Sequence, residues 1–330
     1  MQVPLSEEWM TQPVVSSEPL VKAQNPAFRD FIPAGEVRRM SNITKRALVT
    51  SLKVLQNAGI QQPDAIITGT SFGSLDYTER FLDAMVANGE QMLSPTYFMQ
   101  STHNTVSSAL AIYTKTKGYN ITYSHGMASF DLTLLDAWMQ IRLGMIGNAL
   151  VGGHEEMVES FYDLLHKTGY VGAPGMAPCG EVAVSMLLNT AENEQNLCEL
   201  AGIRIVNTND AALIDKNLDK MLEDAGMTRA DISAVITGKN GNPANDKPYD
   251  ELTHAMLPTT PLLRYKHIFG ENHTASAFGI YAAAQCLKHG NIPSTLLDDE
   301  TATRCGKADA ILAVNITSAT QCSLALLKKI

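Results

Sequence analysis

Apolar residues recur every three or four positions from Ile43 through Ala47, Leu48 and Leu52 to Leu55, the stripe of an amphipathic helix. Ser41 or Asn42 caps its start, and Gly59 supplies its stop. Residues 64–68 form a short apolar run closed by Gly69 and predict a buried strand. Helices follow over residues 78–88 and 105–116, then a strand over 120–124. Residues 128–143 are apolar nearly all round, with Phe130, Leu132, Leu134, Leu135, Ala137, Trp138, Met139 and Ile141. A helix with no polar face belongs inside a protein. Residues 148–151, closed by Gly152 and Gly153, and residues 181–188 predict two further strands.

The polar stretch 191–196 marks an internal boundary, and beyond it the order of elements starts again. Strands are predicted over 199–206, 234–238, 261–265, 310–316 and 323–328, with a loop between the last two. Helices are predicted over 210–225, 249–256 and 274–289, the last closed by Gly290 and Pro293. Alternating strands and helices predict an α/β protein with largely buried sheets, one per half. No literal repeat accompanies the recurring order. The first 36 residues hold Pro4, Pro13, Pro19, Pro26 and Pro33 and read as an irregular arm. The expected division is an arm over 1–36, a first half over 37–195 and a second over 196–330.

Composition narrows the function classes. At 45% apolar and 18% charged, the 330-residue chain can bury a large core. A net charge of −9 argues against nucleic acid as a partner, which demands a basic field. No run of about 18 apolar residues predicts a membrane span, and the first residues carry no pattern of a secretory leader. The cysteines at 179, 198, 286, 305 and 322 are odd in number and form no C-x-x-C pair, which suits a reducing, cytoplasmic setting. His154, Glu155 and Glu156 are adjacent on one extended stretch and cannot converge on a metal, so neither metal nor cofactor is expected. The turn over 69–74 lacks the Gly-Lys-Ser of a phosphate loop.

Three stretches carry a likeness. Lys117-Gly118-Tyr119-Asn120 resembles the Lys-Gly-Pro-Asn turn of the β-ketoacyl synthases. Ile141-Arg142-Leu143-Gly144 with Val151-Gly152-Gly153-His154-Glu155 resembles the end of their nucleophile helix and the strand after it. Lys266, Gly270, His273-Thr274 and Gly279 resemble their Lys-x-x-x-Gly-His-Thr segment. Asn104, Gly180-Glu181 and residues 287–293 are weaker echoes. The resemblance implies a thiolase-like fold of two pseudo-duplicated βαβαβ halves in an α/β/α/β/α stack.

Counted from both anchors, the family's nucleophilic cysteine falls on Met127, a thioether with no proton to lose. Ser129 stands nearby without the glycines of a nucleophile elbow. Where the first active-site histidine is expected the chain reads Lys239-Asn240-Gly241, so Asn240 stands in its region. Lys266 is in place, and His273 follows two extra residues, Glu271 and Asn272. The terminal glycine-rich loop, which would aim an oxyanion donor, reads 315–320 without a glycine.

Loss of these groups together resembles the non-catalytic chain-length factors, similar to those of aryl-polyene and flexirubin-type clusters. That likeness implies a silent subunit paired with an active ketosynthase, or with itself, through residues 105–116 and 120–124. Phe98, Met99, Gln100, His103 and His125 then line the tunnel or the dimer face. An acyl carrier protein is an implied partner, although two acidic chains repel unless basic residues such as Arg38, Arg39, Lys45 and Arg46 cluster. The alternative is an active acyltransferase or malonyl decarboxylase using His273 and Lys266.

Overall fold

The computed structural model describes residues 6–298 and 306–330, so Pro4 and Cys305 lie outside the described residues. Its strands are β1 (Leu20–Val21), β2 (Ala65–Gly69), β3 (Tyr119–Tyr123), β4 (Asn148–Glu155), β5 (Cys179–Gly180), β6 (Val182–Asn189), β7 (Glu199–Val206), β8 (Ala234–Thr237), β9 (Leu262–Arg264), β10 (Ala310–Ser318) and β11 (Gln321–Lys328). They form a four-stranded sheet in the order β3-β2-β4-β6, a five-stranded sheet in the order β7-β11-β10-β8-β9, and the short pair β1-β5.

The two main sheets share one plan. In the first, β2 is parallel to β3 and β4, and β4 is antiparallel to β6. In the second, β8 is parallel to β9 and β10, and β10 is antiparallel to β11. The second sheet alone has a further strand, β7, antiparallel along β11.

Alternation along the strands sorts the core into layers. Ile66 and Leu150 face outward from the first sheet and pack with Ala47, Leu48 and Leu110 of helices Asn42–Ala58 and Thr105–Thr114. Their neighbours Ala65, Ile67, Ala149 and Val151 face inward, onto Phe130 and Leu134 of helix Ser129–Arg142 and Ala282 of helix Ser276–His289. Ala234, Ile236, Ile311 and Ala325 of the second sheet close the same cluster from its far side. Val235, Leu312 and Leu324 face out against helices Ala211–Ala225 and Pro243–Met256. The stack is helix, sheet, helix, sheet, helix, as expected.

Several boundaries depart from expectation for identifiable reasons. Gly152 and Gly153 do not end β4, which runs on to Glu155. A Cβ on Gly153 would lie 2.9 Å from that of Ala277 and 3.1 Å from the Phe130 ring, so glycine there admits the two central helices. The helix expected from residue 249 begins at Pro243, capped by the Asn242 side chain on the Ala244 N–H. The loop expected between the last two strands shrinks to Ala319 and Thr320 because both strands extend. Helices Pro95–Ser101 and Glu159–Lys167 were not predicted. The arm is irregular but docked: Trp9 is 2% exposed and stacks edge-on against Phe269.

Candidate functional site

Strand β3 ends at Tyr123, and a single 3-10 turn, Gly126–Ala128, leads into the buried helix Ser129–Arg142. Met127 sits in that turn, half-buried at the helix mouth. The Tyr170 hydroxyl donates to its Sδ at 3.4 Å, and the Asn315 amide lies 3.4 Å from its carbonyl oxygen. Ser129 is fully buried, accepting from the His125 N–H at 2.8 Å and donating to the Gly126 carbonyl at 2.7 Å. Its hydroxyl builds the turn. Asn315 also donates to Asp131 Oδ2 at 2.7 Å, and Ser276 Oγ lies 3.1 Å from the same oxygen. Burial pushes the Asp131 carboxyl up to about 6, against the pull of these donors.

Lys266 and His273 behave differently. Lys266 is 2% exposed, and its ammonium donates to both oxygens of Glu271 at 2.9 Å. The same carboxylate accepts from the Asn240 amide at 2.8 Å. Glu271 is one of the two residues that look like an insertion in the sequence, yet it ties together Lys266 and Asn240. His273 is held by rings, with Phe72 edge-on at 4.6 Å and Tyr170 stacked at 5.9 Å. Burial lowers its pKa, partly opposed by Glu271, which favours the neutral imidazole. Tyr170 therefore touches both Met127 and His273.

The turn that lacks a phosphate-loop motif does hold an acidic group, the Glu155 carboxyl, which burial pushes up to about 7. Glu155 accepts from the Ser71 and Phe72 N–H groups at 2.8 and 3.0 Å and from Thr70 Oγ1 at 3.1 Å. That grip fixes Phe72, whose ring meets His273 and Phe161.

Cys179 lies near the site but not at the helix mouth. It bridges to Glu271 along the backbone and packs among Met157, Tyr162 and Val171. Burial, with the nearby Glu271 charge, pushes its thiol up to about 12, which keeps it protonated at neutral pH. Among the described residues no group of three or more His, Cys, Asp or Glu is placed to hold a metal ion. None of the described helices is long and apolar enough to cross a membrane.

The residues assigned to a tunnel or partner face are mostly exposed. Phe98 and Met99 are 57% and 64% exposed, and His103 and His125 are exposed as well. Gln100 instead turns inward, its Oε1 accepting from the Ser41 N–H at 3.3 Å. The expected basic cluster is corrected: Arg46 is buried against Glu181 at 2.8 Å, and Lys45 lies over the Phe28 ring. Adjacent helix positions point about 100° apart, so residues next to each other in sequence do not share a face. Tyr170 and Asn315 were missed as site residues. Tyr170 follows an unpredicted helix, and Asn315 lay in what read as a degraded loop.

The β-ketoacyl synthase N-terminal domain family matches residues 7–233. Among solved structures, the ishigamide ketosynthase/chain length factor aligns with a TM-score of 0.80 at 18% identity, over 94% of this chain and 87% of that one. The ketosynthase ApeO in complex with its chain length factor ApeC, from Xenorhabdus doucetiae, aligns at 0.76 and 16% identity, over 96% and 90%. AntDE:AntF, a type II polyketide acyl-carrier protein in complex with its ketosynthase, aligns at 0.74 and 12% identity, over 95% and 91%. No curated protein matches. With more than two thirds of its length matched and the layered fold shared with these structures, the chain belongs to the β-ketoacyl synthase family and has its thiolase-like fold.

Proposed function

We propose that this protein is a catalytically silent, chain-length-factor type subunit that pairs with an active ketosynthase in polyketide-like or fatty-acid-like chain building. One observation carries the reading: a thioether, capped by the Tyr170 hydroxyl, occupies the helix mouth where the family's thiolate belongs. A thioether cannot accept an acyl group and release the carrier thiol. Asn240 adds to this, since its amide is committed to Glu271 and is no general base. The alternative of decarboxylation through His273 and Lys266 finds less support, because the Lys266 ammonium is buried and already paired.

The partner face follows from topology. Strand β3 is the edge of its sheet, opposite β6. Tyr119 on this strand and Ile112 on the helix Thr105–Thr114 packed beside it are exposed by 40% and 79%, and Phe98, Met99 and Val86 on the helices that continue from there by 57% to 87%. An exposed apolar area of this kind beside a free strand edge marks an interaction surface. In this reading Phe98, Met99 and His103 face the partner's growing chain, while Gln100 supports them from beneath. Residues 37–195 and 196–330 then act as the two halves of the fold, with the described part of the 1–36 arm docked on them. The partner supplies the surface for an acyl carrier protein, since Arg46 is unavailable for it.

The test is intact-protein mass spectrometry after incubation with an acyl carrier thioester, alone and with a co-expressed ketosynthase. The expected result is no adduct on this chain, an adduct on the partner, and product only from the pair. An acyl adduct on any residue of this chain overturns the proposal.

A further inference from the structure

The shared plan of the two sheets exposes a difference between them. In the second sheet β7 covers the outer edge of β11 from Val206 beside Cys322 to Glu199 beside Lys328. Among the described residues, no strand covers the corresponding edge of β6. A cavity of about 280 Å³ lies there instead.

Its lining includes Ala183, Val184 and Ser185, three consecutive residues of β6. Successive strand side chains point to opposite faces, so three in a row border one space only if it runs along the strand's edge. Helix Asn42–Ala58 supplies one wall through Thr50 and Val54, and Phe269, Phe278 and Tyr281 supply the other. Trp9 and Val21 of the arm also line the space. The cavity is the slot of an absent strand, lined mainly by apolar groups.

Its charges do not cancel. Arg46 is paired with Glu181 at 2.8 Å, and Lys22 reaches the same carboxylate at 3.8 Å. Lys53, half-buried on the slot wall, has no ion pair or hydrogen bond to any described residue. An ammonium held against apolar surface is stabilised by an anion brought beside it. We propose that the slot binds a linear aliphatic carboxylate, its chain lying along the β6 edge and its carboxylate at Lys53. The site is remote from the β3 edge, and the proposal does not rest on the partner-subunit reading.

Trp9 supplies the readout, because the only other tryptophan, Trp138, can be replaced by phenylalanine. Dodecanoate brominated at its far end quenches tryptophan emission on contact. In a Trp138→Phe background it is expected to quench Trp9 saturably. Lys53→Met should weaken binding about tenfold, as expected for one charge-assisted contact. Ala183→Phe should abolish it by filling the slot, and dodecanol should compete about tenfold less well than dodecanoate. Absence of saturable quenching, equal quenching in Lys53→Met, or equal competition by the alcohol overturns the proposal. If Ala183→Phe does not fold, Lys53→Met and the alcohol decide.

Discussion

Lys266 and Glu271 are 2% and 1% exposed, and a charge taken that far from water persists only with its partner present. The pair therefore anchors the segment that carries His273, whatever chemistry its relatives perform. Lys266→Met leaves the Glu271 carboxylate with Asn240 as its remaining side-chain donor. It is expected to destabilise the fold by about 3–5 kcal/mol in denaturant titration. Adding Glu271→Gln should restore part of the loss by removing the stranded charge. Glu156 makes a pH prediction. It is buried with Ser74 as its hydroxyl donor and with the Glu181 and Asp76 charges nearby, and its carboxyl is pushed up to about 7 from an ordinary 4.5. The folded chain thus holds this proton more tightly than the unfolded chain. Its stabilising contribution is full below about pH 4.5 and is lost as pH rises through about 7. Glutamine mimics the protonated acid. Glu156→Gln should flatten the fall in stability between pH 5 and 8, gaining up to about 3 kcal/mol at pH 8 in melts across that range.

Among elements, those legible in the sequence had local causes. Helix Asn42–Ala58 is bounded by the Ser41 hydroxyl accepting from the Thr44 N–H and by Gly59 in the left-handed region. Both signals are written in single residues. Strand pair β1-β5, two residues a side, lacks such signals, and helix Pro95–Ser101 has Pro95 at its start but no side-chain cap and only seven residues, so both are placed by what they pack on. Gly152 and Gly153 do not act as a stop for a related reason: the approach of Phe130 and Ala277 that demands Gly153 comes from elements remote in sequence, and Gly152 is crowded by the His154 ring and the Val184 carbonyl of the neighbouring strand. At this scale the proposed pairing gives the free edge of β3 the governing part in assembly. Ile112, 79% exposed on helix Thr105–Thr114 beside that edge, should become a barrier when charged. Ile112→Asp is expected to leave the melting temperature of the isolated chain unchanged and to weaken association with a co-expressed ketosynthase by about tenfold or more. Size-exclusion and sedimentation measurements check both parts.

Over the whole molecule, the apolar faces sort into three clusters around the two main sheets and a small fourth around Met157 and Cys179, while Tyr119 of β3 and Ile112 of the helix beside it stay exposed. A chain with such a patch is expected to self-associate when expressed alone and to form a one-to-one complex when its partner is present, read by light scattering of each sample. The amino-acid sequence by itself determined the alternation of strands and helices, the apolar helix at the centre, and the thioether at position 127. Each is a property of residue type and spacing, and spacing along a chain maps directly onto a helix or strand period. Tertiary structure alone decided that Glu271 holds Lys266 and Asn240, that Tyr170 joins Met127 to His273, and that β6 lacks the neighbour β11 has. Those facts depend on which distant segments meet, and burial gives such meetings their energy. A carboxylate that looks like an insertion in one dimension becomes, once water is excluded, the charge around which the site is organised.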